Sequence, residues 1–318
     1  LRSHWQKGIR VFLFKTKPRE KRLCGLTFED DGVALALVDH EAADRPELVH
    51  CSFHPAAPGQ DKVALLKNTV ALEHLNNTDF SLLLSGPDYR LMMVEIPDVP
   101  PEELRAAIRW RIRDLIDFHI DEAVLDIFEL PPSGPGAAQE RLYVAVARSA
   151  LVQERVDLIR SAGAEVKIVD IRELALRNIA ARLDRDARGK AMLYLGPDHG
   201  LITLTRGATL YLARNLELGY QQLREAPTLL EHVALELQRS IDYYDRHFRQ
   251  PPINAITLCP IAQQVAQLEE QLTQLTGITV NELELRNVID SRVAVGPMQF
   301  SRCLPAIGAA LRSAPEQL

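Results

Sequence analysis

The chain writes one structural plan twice. Residues 22–38 read as a β-hairpin: LCGLTF, the turn EDDG, then VALALV. Residues 191–212 repeat the plan with AMLYLG, the turn PDHG, LITLTRG and ATLYLA. Asp and Gly at each reversal supply the side-chain capping and backbone freedom that tight turns need. A helical stretch follows each hairpin, residues 62–75 in the first case and 229–248 in the second. In the longer one Leu230, Val233, Leu237, Ile241, Tyr244 and Phe248 recur on one face. A repeated hairpin-helix-strand unit predicts two similar α/β halves, with the charged and polar residues 185–190 as the hinge. At 318 residues and 47% hydrophobic content, the chain can bury one large core or two linked ones.

Between the repeats lies a segment of different character. LMMVEIPDVPPEELRAAIRWRIRDLIDFHIDEAVLDIFEL, residues 91–130, begins as a strand that runs to Pro97. Pro101 then suits the first turn of a helix, where its missing N–H is no loss, and Glu102 and Glu103 favour the positive end of the helix dipole. Leu104, Ala107, Ile108, Ile112, Leu115 and Ile116 recur at helical spacing. A turn over 117–121 leads to a strand over 124–130, and residues 131–139 form a Pro/Gly/Ala loop. RLYVAVARSALVQERVDLIRSAGAEVKIVDIRELALRNIA, residues 141–180, continues as strand, helix, strand ending in Asp170, and helix.

This order of segments resembles the PilM-like proteins, actin-fold scaffolds of type IV pilus machines, over most of residues 22–312. Its character is nearest the members that serve MSHA (mannose-sensitive haemagglutinin) pili. The resemblance implies an α/β actin-like ATPase fold with two RNase H-like halves, residues 22–184 and 188–318. It places a small inserted α/β subdomain at about residues 85–165. It further implies a cytoplasmic protein, peripheral to the inner membrane of a Gram-negative bacterium. That protein would bind the N-terminal peptide of a PilN-like membrane partner in a groove beside the insert. Contact with a pilus assembly ATPase follows from the same resemblance.

In the family, the end of the first strand of each half carries Asp-hydrophobic-Gly for Mg²⁺ and phosphate, and a glycine-rich loop holds adenosine. Here the first hairpin has Thr27, Phe28 and Glu29 at those positions, so Thr replaces Asp and a carboxylate fills the phosphate space. The second has Tyr194, Leu195 and Gly196, keeping only the Gly. The adenosine loop reads Cys259, Pro260, Ile261, Ala262, and proline removes a backbone donor. The turn residues Asp30, Asp31 and Asp198 read as turn-formers rather than replacement metal ligands. The expectation is a degenerate cleft with neither ATP nor Mg²⁺ and no enzyme activity. Two rivals stand beside it. One is a working ATP-binding switch; the other is the cytoplasmic domain of a GspL-like type II secretion protein, disfavoured because the chain ends with the helix-like PAIGAALRS and polar residues.

Other chemistry finds little support. The nine histidines show no HExxH or paired metal spacing; His50 and His54 are four apart, but strand-like surroundings and Pro55 exclude one helical face. No P-loop, G-x-S-x-G or GxGxxG occurs. Asp170 reads as a helix cap or inter-strand residue, and Asp242 with Asp245 as a solvated face. Cys24, Cys51, Cys259 and Cys303 are widely spaced, which suits free thiols. No run reaches the ~18 apolar residues that span a bilayer, and residues 12–14 are too short for a secretory core.

Charge is uneven. Residues 1–22 hold eight Lys or Arg against Glu20 alone, a local +7, leaving 29 basic and 42 acidic residues, −13, for the remainder. Trp5, Ile9, Val11, Phe12, Leu13 and Phe14 interleave the cations. Residues 1–21 therefore read either as a disordered leader or as a peripheral contact with an anionic membrane surface. The acidic body disfavours nucleic acid. For the partner peptide, the resemblance points to Arg105, Ile108, Arg109, Ile112 and Tyr143. For Ile108 and Ile112, taken singly, the competing reading is subdomain core.

Overall fold

The structure, a computed structural model, describes residues 22–41, 45–57, 59–60, 62–76, 78–130, 140–183 and 188–312. The basic segment, the loop over 131–139 and residues 185–187 of the expected hinge lie outside these.

In chain order the strands are β1 (Arg22–Glu29), β2 (Gly32–Asp39), β3 (Glu47–Pro55), β4 (Asp79–Leu83), β5 (Tyr89–Glu95), β6 (Ala123–Glu129), β7 (Arg141–Arg148), β8 (Glu165–Asp170), β9 (Lys190–Leu195), β10 (Gly200–Arg206), β11 (Thr209–Leu216), β12 (Ala255–Leu258), β13 (Thr279–Glu282) and β14 (Asp290–Ser291). The helices are α1 (Lys62–Leu72), α2 (Leu104–Ile112), α3 (Ser149–Ser161), α4 (Arg172–Leu183), α5 (Tyr220–Glu225), α6 (Leu230–Phe248), α7 (Leu268–Thr276), α8 (Leu285–Val288) and α9 (Pro297–Ala310).

The two halves share one topology. The first sheet runs β14-β3-β2-β1-β4-β8 and the second β11-β10-β9-β12-β13. In each, three antiparallel strands are followed by two parallel ones on the other side of the first strand. This is the doubled RNase H-like order that the repeated hairpins predict.

Alternation along the strands explains how the layers stack. In β1 and β2, Cys24, Leu26, Phe28, Val33, Leu35 and Leu37 face α1 and α3. The opposite face carries Ala34, Ala36 and Val38, packed with Leu304, Ile307 and Ala310 of α9. Small residues on that face allow close approach. A Cβ on Gly25 would stand 1.9 Å from the Ala306 carbonyl oxygen, so only glycine admits α9 there. Where α9 crosses α4, a Cβ on Gly308 would meet the Ala175 oxygen at 2.4 Å. The apolar cluster between the halves joins α4 (Leu176, Ile179, Ala180), α9 and Met192 and Tyr194 of β9. The far face of the second sheet is covered by α6, whose predicted stripe from Leu230 to Phe248 is buried throughout.

The helix read at PAIGAALRS begins eight residues earlier, at Pro297, and carries Pro305 inside it. A proline there forgoes one backbone hydrogen bond; the helix persists because ten of its residues from Phe300 to Ala310 are buried.

The inserted segment forms a separate antiparallel sheet, β5-β7-β6. One face, with Leu125, Leu142, Val144 and Val146, packs on Ile108 and Ile112 of α2. The other, with Phe128, Tyr143 and Ala145, joins the core of the second half. The small sheet ends at Arg148. Helix α3, inside the segment expected to run to residue 165, packs through Val152, Val156 and Ile159 against Leu66 and Val70 of α1 in the first half's core.

Candidate functional site

Residues at the two hairpin tips approach one another around Arg172, and the residues there come from five elements. At the end of β1, Thr27 is fully buried, and its hydroxyl donates to Glu29 Oε1 at 3.2 Å. Tyr194 is 6% exposed near the end of β9. The space beside Gly196 is taken by His199, whose ring would lie 2.7 Å from a Cβ at that glycine. Cys259 and Pro260 are buried after β12, and burial pushes the Cys259 thiol up, beyond ordinary titration.

The cleft is organised by a residue that sequence reasoning missed. Arg172, the first residue of α4, has a side chain only 7% exposed. Its guanidinium lies 3.9 Å from Glu29 Oε2, donates to His199 Nε2 and sits 5.2 Å from the Tyr194 ring centroid. Burial pulls this guanidinium's pKa down, but Tyr194, Glu29, Tyr89 and Glu173 outweigh that and raise it, so it stays charged. Because His199 Nε2 accepts, its proton belongs on Nδ1, which donates to Asp198 Oδ1 at 2.9 Å. That hydrogen bond holds the Asp198 carboxyl below its usual range. Tyr89, at the start of β5, donates its hydroxyl to Glu173 Oε2 at 2.6 Å and accepts from the Arg172 backbone N–H at 3.3 Å. Burial pushes the Glu173 carboxyl up. The sequence signal was an Arg-Glu pair set between Ile171 and Leu174 on an otherwise apolar helix start.

The turn aspartates are engaged by groups of the protein itself: Asp31 pairs with Arg302, and Asp198 accepts from His199 Nδ1. Asp170 is fully buried; its Oδ1 accepts from Ile171 N at 2.9 Å, and Oδ2 lies 2.6 Å from Arg312. Beside the loop after β12 is a cavity of about 300 Å³, lined by Leu223, Arg224, Pro227, Leu230, Val265 and Gln271 among others.

The five residues suggested for peptide contact separate into two groups. Ile108 and Ile112 are fully buried and Tyr143 is 3% exposed. All three are buried, Ile108 and Ile112 as the competing reading held, and present no groove surface. Tyr143 meets the second half, with its hydroxyl accepting from Ala213 N at 3.3 Å. Arg105 and Arg109 remain at the surface and hook over the edge of β6. Arg105 donates to Leu125 O and Asp126 Oδ1, both at 2.8 Å, and Arg109 to Ala123 O and Ile120 O. The exposed apolar side chains of this helix and the turn after it are instead Trp110, 70% exposed, and Leu115, 51%.

Away from the cleft, His50, Ser52 and His54 share one face of β3. Glu73 accepts from His50 Nε2 at 2.7 Å, His54 Nε2 at 2.6 Å and the Ser52 hydroxyl at 3.0 Å. Ser52 and Glu73 meet the same nitrogen of His50, so the group lacks the two-sided imidazole of a nucleophilic relay. Among the described residues, no three His, Cys, Asp or Glu side chains are grouped to hold a metal ion.

Residues 92–227 match the family model of the type IV pilus assembly protein PilM. Over this stretch the chain resembles PilM. The fold agrees beyond that region. A chain of a PilM-PilN type IV pilus biogenesis complex superposes with a TM-score of 0.74 at 22% identity, covering 94% of this chain and 100% of that one. A Bacteroides thetaiotaomicron protein of unknown function with an actin-like ATPase fold gives 0.50 at 10% identity, covering 85% and 93%. The cytoplasmic domain of EpsL, an inner-membrane component of the Vibrio cholerae type II secretion system, gives 0.49 at 10%, covering 89% and 94%. No curated protein matches in sequence. The fold is the actin-like ATPase fold.

Proposed function

We propose that this PilM-like chain is a non-catalytic scaffold of a type IV pilus assembly platform, of the MSHA kind and nearest MshI in character. In this reading it works in the cytoplasm against the inner membrane, and the N-terminal peptide of a PilN-like membrane protein docks on the inserted subdomain. The observation that carries the reading is the end-to-end likeness to a chain solved in a PilM-PilN complex. The insert offers Trp110 and Leu115 as apolar anchors, and a few buried anchors supply most of the affinity of such a contact. Residues 1–21 provide a second, electrostatic contact with anionic lipid. Among the described residues no helix is long and apolar enough to cross a membrane.

The nucleotide cleft is degenerate in this reading. Glu29 brings a carboxylate to the position where phosphate would lie, and Arg172 is already engaged by groups of the protein. Calorimetry with ATP and Mg²⁺ tests this, with no binding at micromolar concentration expected. The cavity beside the loop after β12 favours the second reading, an ATP-binding switch; micromolar affinity in that titration would establish it. For the partner, the Trp110→Ala, Leu115→Ala double variant is expected to stay folded and lose a PilN-like peptide in a pull-down. Full-strength binding would move the site off this helix.

A further inference from the structure

We propose that Arg172 is an internal substitute for a ligand: its guanidinium and backbone tie the first hairpin, the second hairpin and the base of the inserted sheet into one fixed arrangement. The inference rests on the reading that the cleft works without nucleotide, and it adds what holds the cleft in place instead.

Each contact leads to a different part of the molecule. Glu29 ends β1 of the first half. Tyr194 and His199 belong to β9 and the turn after it in the second half. Tyr89 opens β5 of the insert; its hydroxyl bridges the Arg172 backbone N–H and the Glu173 carboxylate. A planar guanidinium with donors in a fixed fork can serve several acceptors at once, which the single point of a lysine ammonium does not. Asp198 fixes His199 as the acceptor by holding its Nδ1 proton. Without the guanidinium, the largely buried Glu29 carboxylate would lose this positive neighbour and His199 Nε2 its donor, and removing one partner of a buried pair favours local opening. Since β5 opens at this hub, partner docking on the insert and the closure of the two hairpins become one coupled event.

Hydrogen exchange on the full chain tests this with Arg172→Ala and Arg172→Lys. In both, amides of residues 29–32 and 196–200 should exchange about tenfold faster or more, with 89–91, held through the Arg172 backbone, and α6 and α7 unchanged. The lysine variant should resemble alanine, because charge alone does not bridge the two hairpins. If neither hairpin responds, or if exchange rises evenly over the second half, the coupling is wrong and Arg172 is merely a local packing residue. Should Arg172→Ala fail to fold, Tyr89→Phe decides the link to the insert. It should accelerate exchange at 89–91 and leave the hairpins protected; unaltered exchange at 89–91 overturns the coupling. ATP with Mg²⁺ added to the unmodified chain is a separate arm. Protection of the turns there defeats the nucleotide-free reading, while the variants without nucleotide still judge the lock.

Discussion

The two hairpins share strand order, turn length and layer position, yet their tips have become different objects. The first ends in Thr27, Phe28 and Glu29, a hydroxyl bonded to a carboxylate. The second ends in Tyr194, Leu195 and Gly196, with His199 folded over the glycine. The sheets beneath hardly register the difference. Both first strands keep alternating apolar residues buried on two faces, Cys24, Leu26 and Phe28 in one, Ala191, Leu193 and Leu195 in the other. A fold of this kind rests on strand alternation over many residues. Its chemistry rests on two or three tip positions, so the second can change while the first stays.

A second contrast lies one turn of the pleat away. Where the first half has Gly25, crossed closely by α9, the position two residues before Tyr194 in the second half is Met192, buried in the cluster that α4 lines. The same layer is therefore closed by absence of a side chain on one side and by a large one on the other.

The largest expected effect sharpens the contrast between core and surface on one helix. Ile108→Asp places a carboxylate in the fully buried core of the insert and should cost about 4 kcal/mol or more. Circular dichroism and limited proteolysis should show the insert unfolded; a stable variant would mean Ile108 is accessible after all. Next, Gly25→Ala forces a Cβ against the Ala306 oxygen and should cost about 3 kcal/mol. Urea titration measures it, and a loss under about 1 kcal/mol would show that α9 can shift, ending the contrast with Met192.

A smaller effect concerns pH. Burial raises the Asp126 carboxyl to about 6 despite the Arg105 ion pair. Its folded pKa thus exceeds the unfolded value, so its contribution to stability is fully present below about pH 4 and is lost as pH rises through about 6. Asp126→Asn should therefore gain about 2 kcal/mol at pH 7, after allowing for the lost ion pair, and gain little at pH 4. Urea midpoints at the two pH values check the sign; equal shifts at both would assign the effect to packing. The smallest effect is Trp110→Ala, expected within about 0.5 kcal/mol of the parent in the same titration. A larger loss would make Trp110 part of the core and remove it as a partner anchor.

Turn residues and apolar period, both local, made the two hairpins and the long helix over Leu230–Phe248 readable, while the resemblance supplied the segment inserted in the first half. The resemblance to PilM-like proteins marked Thr27, Glu29, Tyr194 and Pro260 as departures from that pattern, and their places at the strand ends are local. Burial is not. Tyr143 alternates like a surface residue of a small sheet, and only the second half packed on that face makes it core. His50 and His54 find no support as a pair in the sequence because strand-like surroundings exclude one helical face, whereas a strand's period of two also sets them on one face, and their partner Glu73 arrives after α1. Arg172 belongs to the same class. A charged residue at a helix start is usually solvated, and it became the centre of the cleft only when two hairpins and the insert closed around it. What depends on neighbours along the chain was legible; what depends on which distant element covers a face was decided by the tertiary structure alone.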